Sequence, residues 1–248
     1  MGRLVHAASY RLSPPGRRTW GTVATGPARG LSLLGDARFD APYWAGDVEP
    51  DVQGELTRLV RPGEVAWDVG AHIGFYSCLL ARLVGPLGRV VAFEPDEEAA
   101  GALEAAAHRN GLAHVEVRRA AVWSRGGSLL FRPRVDSVEG FHGSVQPDGG
   151  RVVRATTLDA ELAVGPAPAL VKIDVEGAEK EVLRGAGRLL REARPAILCE
   201  VHLARLGRPE LLAAVRGLLE SAGYEVCELD PSRSPRHLVA LPVLAAHA

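Results

Sequence analysis

The sequence predicts an α/β protein: a doubly wound, largely parallel sheet with helices on both faces and one antiparallel strand at its end. Short apolar runs alternate with helical segments from residue 64 onward, and strands that alternate with helices pair in parallel. The last two apolar runs, 224–229 and 237–241, are separated only by a turn. So short a link holds no crossover helix, so this pair is antiparallel. At 248 residues, 47% hydrophobic and 24% charged, the chain can bury a substantial core and does not have the composition of a disordered protein.

Residues 1–45 carry Pro14-Pro15-Gly16, Gly26-Pro27 and Gly30 between short apolar pieces, which reads as an N-terminal extension or cap of turns and short strands. Residues 46–248 are expected to form the main domain. It opens with a helix at 51–60, where Val52, Leu56, Leu59 and Val60 have helical spacing and Arg61-Pro62-Gly63 is the stop. A strand at 64–69 runs through a glycine turn into a helix at 75–84. The unit repeats with a strand at 89–94, Pro95 and the N-cap candidate Asp96, and an alanine-rich helix closed by Asn110-Gly111. A third strand lies at 114–118, a fourth at 169–174 and a fifth at 195–201, with a helix at 177–184 between the last two. The segment at about 124–160, with Gly126-Gly127, Pro133, Pro147 and Gly149-Gly150, reads as an inserted hairpin and loop. A final helix opens at Pro209, carries Leu211, Leu212, Val215, Leu218 and Leu219 as its apolar stripe, and stops at Gly223.

With 29 basic residues against 30 acidic, the chain has no net field pointing to a nucleic acid polymer or an anionic membrane. Only two of the basic residues, Lys172 and Lys180, are lysines. Cys78, Cys199 and Cys227 are widely spaced in apolar runs, which fits reduced thiols and a cytoplasmic location better than a disulfide framework or a zinc site. The N-terminus lacks the apolar core of a signal peptide, and no apolar run approaches the roughly 18 residues of a spanning helix.

Ligands of doubly wound sheets sit beyond the carboxyl ends of the strands. The first turn, Asp68-Val69-Gly70-Ala71-His72-Ile73-Gly74, has the spacing D-x-G-x-x-x-G instead of the G-x-G-x-x-G of pyrophosphate-binding turns, which disfavours a nicotinamide dinucleotide. Glu94 ends the second strand, where a carboxylate can accept both hydroxyls of a ribose. Asp68 and Glu94 together would repel a pyrophosphate but suit an adenosine-containing cofactor with a cationic amine, such as S-adenosylmethionine.

The stretch Asp68 to Gly74, then Phe93-Glu94-Pro95, Lys172-Ile173-Asp174-Val175-Glu176-Gly177-Ala178-Glu179 and Glu200-Val201-His202 occur in that order. With them the chain resembles the FkbM family of S-adenosylmethionine-dependent methyltransferases over about residues 49–201. That resemblance implies a class I methyltransferase fold, Rossmann-like with a seven-stranded sheet, and methyl transfer to a hydroxyl, often on a sugar or a secondary metabolite. Candidate cofactor contacts are Asp68, Gly70, His72, Gly74, Glu94, Pro95, Ala121 and Asp174. His72 stands where the family usually has asparagine; an amide and a neutral imidazole can each donate and accept a hydrogen bond.

Asp174 and Glu176 lie at the end of the fourth strand, where both could instead cap the next helix. Lys172 shares a face with Asp174 and can pair with a carboxylate. Glu200 and His202 share one face at the end of the fifth strand. Methylation of an alcohol needs in-line approach of the oxygen and a base for its proton. His202 is the candidate base, Glu200 orients it or binds the acceptor, and Asp174 and Glu176 complete the catalytic set. No metal site is assigned, although Asp174, Glu200 and His202 could alternatively converge on a divalent cation that acidifies a hydroxyl.

Among the other histidines, His6, His108, His114, His142, His237 and His247, no spacing suggests a ligand set, and most are expected at the surface. His142, in the insert, is a candidate acceptor contact. Trp20, Tyr43 and Trp44 are candidates to cover the pocket. The expected function is O-methylation of a small-molecule hydroxyl on a sugar or nucleoside moiety. N-methylation and a non-catalytic adenosine-binding module are the alternatives, and the oligomeric state is open.

Overall fold

The computed structural model of the chain describes residues 17–132, 144–145, 150–203, 210–232 and 234–243. Pro209, His6, His142 and His247 lie outside the described residues. The chain begins with an antiparallel hairpin of β1 (Arg18–Thr22) and β2 (Ser32–Asp36), then the short α1 (Ala41–Ala45) and α2 (Pro50–Leu59). Strand β3 (Val65–Val69) leads into α3 (Phe75–Val84), β4 (Arg89–Phe93) into α4 (Glu97–Arg109), and β5 (Val115–Arg118) follows. The inserted segment forms β6 (Ala121–Val122), β7 (Gly127–Arg132), β8 (Ser144–Val145), β9 (Arg151–Thr156) and α5 (Leu158–Val164). The main domain resumes with β10 (Leu170–Ile173), α6 (Glu179–Arg184), β11 (Ala196–Val201), α7 (Glu210–Ser221), β12 (Tyr224–Glu228) and β13 (Arg236–Pro242).

The main sheet has seven strands in the order β12-β13-β11-β10-β3-β4-β5. All neighbours from β11 to β5 pair in parallel, whereas β13 pairs antiparallel with both β11 and β12. The last strand therefore inserts between its two partners. This is the expected doubly wound sheet with an antiparallel final strand.

Local chemistry accounts for the elements that frame the ligand end. The Asp96 carboxylate accepts from the backbone N–H groups of Glu98 and Ala99, both at 2.9 Å, and so caps α4. Ala99, Ala100, Ala102, Leu103, Ala106 and Ala107 form the buried face of that helix, and the small side chains let it lie close on the sheet. Leu211, Val215 and Leu219 are the buried residues of α7, part of the stripe read from the sequence. Fully burying a leucine contributes about 1.5–3 kcal/mol, and Leu79, Leu80 and Leu103 are among those fully buried.

The N-terminal hairpin packs against the main domain. Val23, Ala28, Leu31 and Leu33 share one apolar core with Val52, Leu56, Phe75 and Leu79. Asn110, at the end of α4, clamps it by accepting from Ser32 N at 2.9 Å and donating to Ser32 O at 2.7 Å.

The insert contains more than a hairpin. β7 and β9 pair antiparallel, but β6 also pairs with β9 in parallel, giving a second sheet in the order β6-β9-β7-β8. Helix α5 occupies the end of the segment read as loop, and Thr157 Oγ1 caps it by accepting from Ala160 N at 3.0 Å. Among the described residues, no helix is long and apolar enough to cross a membrane.

Candidate active site

The turn after β3 is shaped by backbone geometry. Gly70, at φ +87°, is packed so closely that a Cβ there would fall 1.8 Å from the carbonyl oxygen of Asp174. Only glycine lets the ends of β3 and β10 close on each other. Gly74, at φ +90°, precedes α3 and packs against Leu103 of α4, which a Cβ would meet at 2.7 Å. His72 has a φ of +49°, a left-handed conformation in which asparagine is several-fold enriched, so the family's usual residue and this one share a backbone constraint. The N–H groups of Gly70 and Ala71 both donate to Phe93 O, at 3.0 and 3.1 Å.

Glu94 locks this turn to the next. One carboxylate oxygen accepts from His72 N and the other from Asp96 N, each at 2.8 Å. Burial pushes its pKa up to about 7, against the lowering effect of those two N–H groups. Each oxygen keeps acceptor capacity for a ribose hydroxyl. Pro95 lies between Glu94 and Asp96, inside the short turn that the Glu94 carboxylate closes, and Ala121 is buried in β6 just beyond β5.

Asp68 is fully buried beneath the turn. Ser77 Oγ donates to its Oδ2 at 2.5 Å, and the opposite residue in register, Lys172, brings Nζ to 3.9 Å from Oδ1. Oδ1 has no hydrogen-bond partner among the described residues. Burial raises the Asp68 pKa, opposed by Lys172 and Ser77. A buried carboxylate with an unused acceptor atom suits the amino group of an adenosyl amino acid. Lys172 Nζ also lies 3.1 Å from Asp174 Oδ2 and 4.4 Å from the centre of the Tyr76 ring. Burial works against the lysine charge, but the Asp174 and Asp68 carboxylates outweigh it and raise the pKa. The pairing of Lys172 with a carboxylate follows the alternation along β10.

Beside this lies a second, more acidic cluster built around His202. Its Nδ1 is 2.8 Å from Glu179 Oε1. Its Nε2 faces Glu200 Oε1 at 3.2 Å, Glu176 Oε1 at 3.5 Å and Asp174 Oδ1 at 3.8 Å. All four candidate catalytic residues thus meet in space. Burial by itself would lower the pKa of this imidazole, but the bonds to Glu179 and Glu200 and the charge of Asp174 prevail and push it up to about 11. Neither Asp174 nor Glu176 is the N-cap residue of α6; that position is Ala178, and Glu179 Oε1 reaches back to accept from Gly177 N at 2.9 Å. Glu176 sits at φ +50° in the connecting turn.

Three residues of this cluster were absent from the candidate set. Glu179 was legible as part of the motif run, but its role under His202 was not. His237, expected among surface histidines, is buried opposite Glu200 in the β11–β13 register, with Nε2 3.5 Å from Glu200 Oε2 and 3.4 Å from Glu49 Oε1. Burial opposes its charge, and Glu200 and Glu49 raise its pKa to about 9. Glu49, ahead of α2, also accepts from the Tyr76 hydroxyl. No local spacing could reveal this pair, because three separate segments bring it together. Tyr43 packs beside the turn in a tilted arrangement, with ring centres 6.2 Å from His72 and 5.3 Å from Phe75. Trp20 lies over the Arg109 guanidinium at 4.5 Å.

A doubly wound sheet with this strand order, a glycine turn after its first main strand and a carboxylate ending the next defines an S-adenosylmethionine-dependent methyltransferase of class I. A model of the methyltransferase FkbM domain matches residues 68–226, and the chain belongs to that family. It is 31% identical over 207 residues to the 31-O-demethyl-FK506 methyltransferase FkbM of Streptomyces tacrolimicus, covering 69% of this chain and 77% of that one. It is 27% identical over 198 residues to the hexuronic acid methyltransferase AglP of Haloferax volcanii, covering 75% and 80%. The crystal structure of methyltransferase FkbM from Methylobacillus flagellatus superposes with a TM-score of 0.53 at 19% identity over 75% of this chain, which spans 50% of that longer one.

Proposed function

We propose that this methyltransferase uses S-adenosylmethionine to methylate a hydroxyl of a small molecule bearing a sugar or nucleoside moiety. The observation that carries the reading is the adjacency of two unlike sites at one end of the sheet: the Glu94-locked turn, and the buried cluster of Asp174, Glu176, Glu200 and His202. In this reading Asp68, Gly70, His72, Gly74, Glu94, Pro95, Ala121 and Asp174 surround the cofactor, with Glu94 accepting the ribose hydroxyls and Asp68 the amino group. The bound cofactor supplies a methyl group on a positively charged sulfur. The second cluster accepts hydrogen bonds from the hydroxyls of the acceptor, and the proton of the hydroxyl that reacts passes to the Glu200 carboxylate, because His202, the expected base, has its pKa pushed up to about 11 and is not free to take a proton near neutral pH. The names of two relatives support an oxygen acceptor, one naming a hexuronic acid and the other an O-demethyl substrate. A nitrogen acceptor would have less use for so many carboxylates around a base.

The test has two stages. S-adenosylmethionine and S-adenosylhomocysteine, at about 100 times their dissociation constants, should each stabilise the protein by about 2.7 kcal/mol, while NAD should not. Release of S-adenosylhomocysteine should then depend on an added uronic acid or glycoside. Stabilisation by NAD alone would overturn the cofactor assignment; cofactor binding with turnover only on amines would overturn the hydroxyl assignment.

A further inference from the structure

We propose that Asp174, Glu176 and His202 bind a divalent cation of the magnesium or manganese class, and that this ion holds and acidifies the acceptor hydroxyl. The inference rests on the reading of the same cluster as the acceptor site. One ligand atom from each of the three residues falls within 4.8 Å of the others. His202 Nε2 has oxygens of Glu200, Glu176 and Asp174 at 3.2, 3.5 and 3.8 Å. Donor atoms sharing one ion at bond lengths of about 2.0–2.2 Å sit about 3.0–3.5 Å apart, so the cluster has nearly the spacing of a coordination shell. Glu179 holds Nδ1 on the far side of the ring, the arrangement that orients a metal-ligating histidine.

An independent observation comes from the neighbouring histidine. His237, 4% exposed, directs Nε2 at the second oxygen of Glu200 and at Glu49, 3.5 and 3.4 Å away, and makes no hydrogen bond through that atom among the described residues. The same spacing thus recurs on both sides of Glu200. Charge points the same way. Among the described residues, Asp68, Asp174, Glu176, Glu179, Glu200 and Glu49 pair here with three basic groups, Lys172, His202 and His237, so carboxylates outnumber cations even with both imidazoles charged. Buried like charge of this density is costly without a counter-ion. One imidazole with carboxylates and no thiolate is a donor set for a hard or borderline divalent ion.

Beside such an ion the O–H bond of the acceptor breaks with its electron pair left on oxygen, and the proton passes to the Glu200 carboxylate, next to His202 Nε2.

The full chain, freed of metal with a chelator, should be titrated with Mn²⁺ alone and followed by the loss of the free-ion electron paramagnetic resonance signal. We expect a tight site with a nitrogen coupling in the spin-echo spectrum that reports imidazole ligation, and its dependence on Asp174 and Glu176 separates it from the Glu49–Glu200–His237 group. Glu176→Gln should weaken binding at least about tenfold, as should Asp174→Asn, whereas Glu104→Gln, on an exposed carboxylate, should not. Absence of Mn²⁺ binding, absence of the nitrogen coupling, or equal weakening by Glu104→Gln would overturn the site. S-adenosylhomocysteine binding measured on the same samples separates the two ideas: if it persists without Mn²⁺ binding, only the cation site fails. If Mn²⁺ binds while S-adenosylhomocysteine does not, the cofactor reading fails.

Discussion

The two halves of the active end are built on different principles. Around the turn after β3, the short segment from Gly70 to Gly74 and one glutamate do the shaping through backbone: Gly70 against the Asp174 carbonyl, His72 in a left-handed conformation, and Glu94 holding two N–H groups. Around His202, side chains from β11, the β10–α6 turn, β13 and the segment before α2 meet, and almost every contact is between charged groups. A backbone-defined site tolerates few changes of shape, whereas a side-chain cluster tolerates changes of shape better than changes of charge.

That contrast can be broken by substitution. The largest effect is expected for Gly70→Ala, which puts a methyl group 1.8 Å from a carbonyl oxygen at an unfavourable φ and should cost about 4 kcal/mol or more. Urea unfolding measures it, and a loss below about 1 kcal/mol would show that the β3–β10 junction relaxes easily. Next comes His202→Gln. If the two halves work separately, the methylation rate should fall about 10²–10⁴-fold while S-adenosylhomocysteine affinity, read by calorimetry, stays unchanged. A parallel loss of cofactor affinity would mean that the halves are one unit.

Glu94→Gln should act in reverse. It replaces one of two charged acceptors with a donor and should weaken S-adenosylhomocysteine about 10–100-fold, the scale of a charge-assisted hydrogen bond. The smallest effect is that of pH. With its pKa raised to about 7, Glu94 is the form able to accept from both ribose hydroxyls only above that value, so cofactor affinity should decline as pH falls below about 7, by at most about tenfold per unit. The sign reverses for the unliganded chain. A carboxyl whose folded pKa is raised contributes stability that is present below its unfolded value and lost as pH rises through about 7. Opposite slopes for affinity and for unliganded stability would tie both to this one group.

The same contrast explains what the sequence disclosed. Asp68, Gly70, Gly74 and Glu94 stand at the ends of strands recognisable from their own apolar runs, so their placement followed from local pattern. The antiparallel pairing of the last two strands was likewise legible, since the 230–236 turn is too short for anything else, but the insertion of β13 between β11 and β12 was not. Nor was its register. A shift of one residue would turn His237 to the other face of the sheet, and nothing near it in the chain fixes that choice. Glu49 was hidden for a different reason, because it belongs to an irregular stretch at φ +44° and meets its partners only through packing of the N-terminal hairpin and α2 against the sheet. Helix α5 was lost inside a glycine- and proline-rich segment, though Thr157 followed by Asp159 and Glu161 is a recognisable helix start.

The insertion of β13 between β11 and β12 also bears on how the chain is made. Synthesis proceeds from the N-terminus, so β3, β4, β5, β10 and β11 are all available to pair before Arg236 has been added. Until then β11, with Ile197, Leu198 and Cys199, presents an open apolar edge to any other strand, including that of another nascent copy. The strand that delivers His237 to the cluster is also the one that closes this edge, so chains stalled before it should carry an intact glycine turn, an incomplete acidic cluster and a tendency to associate through β11.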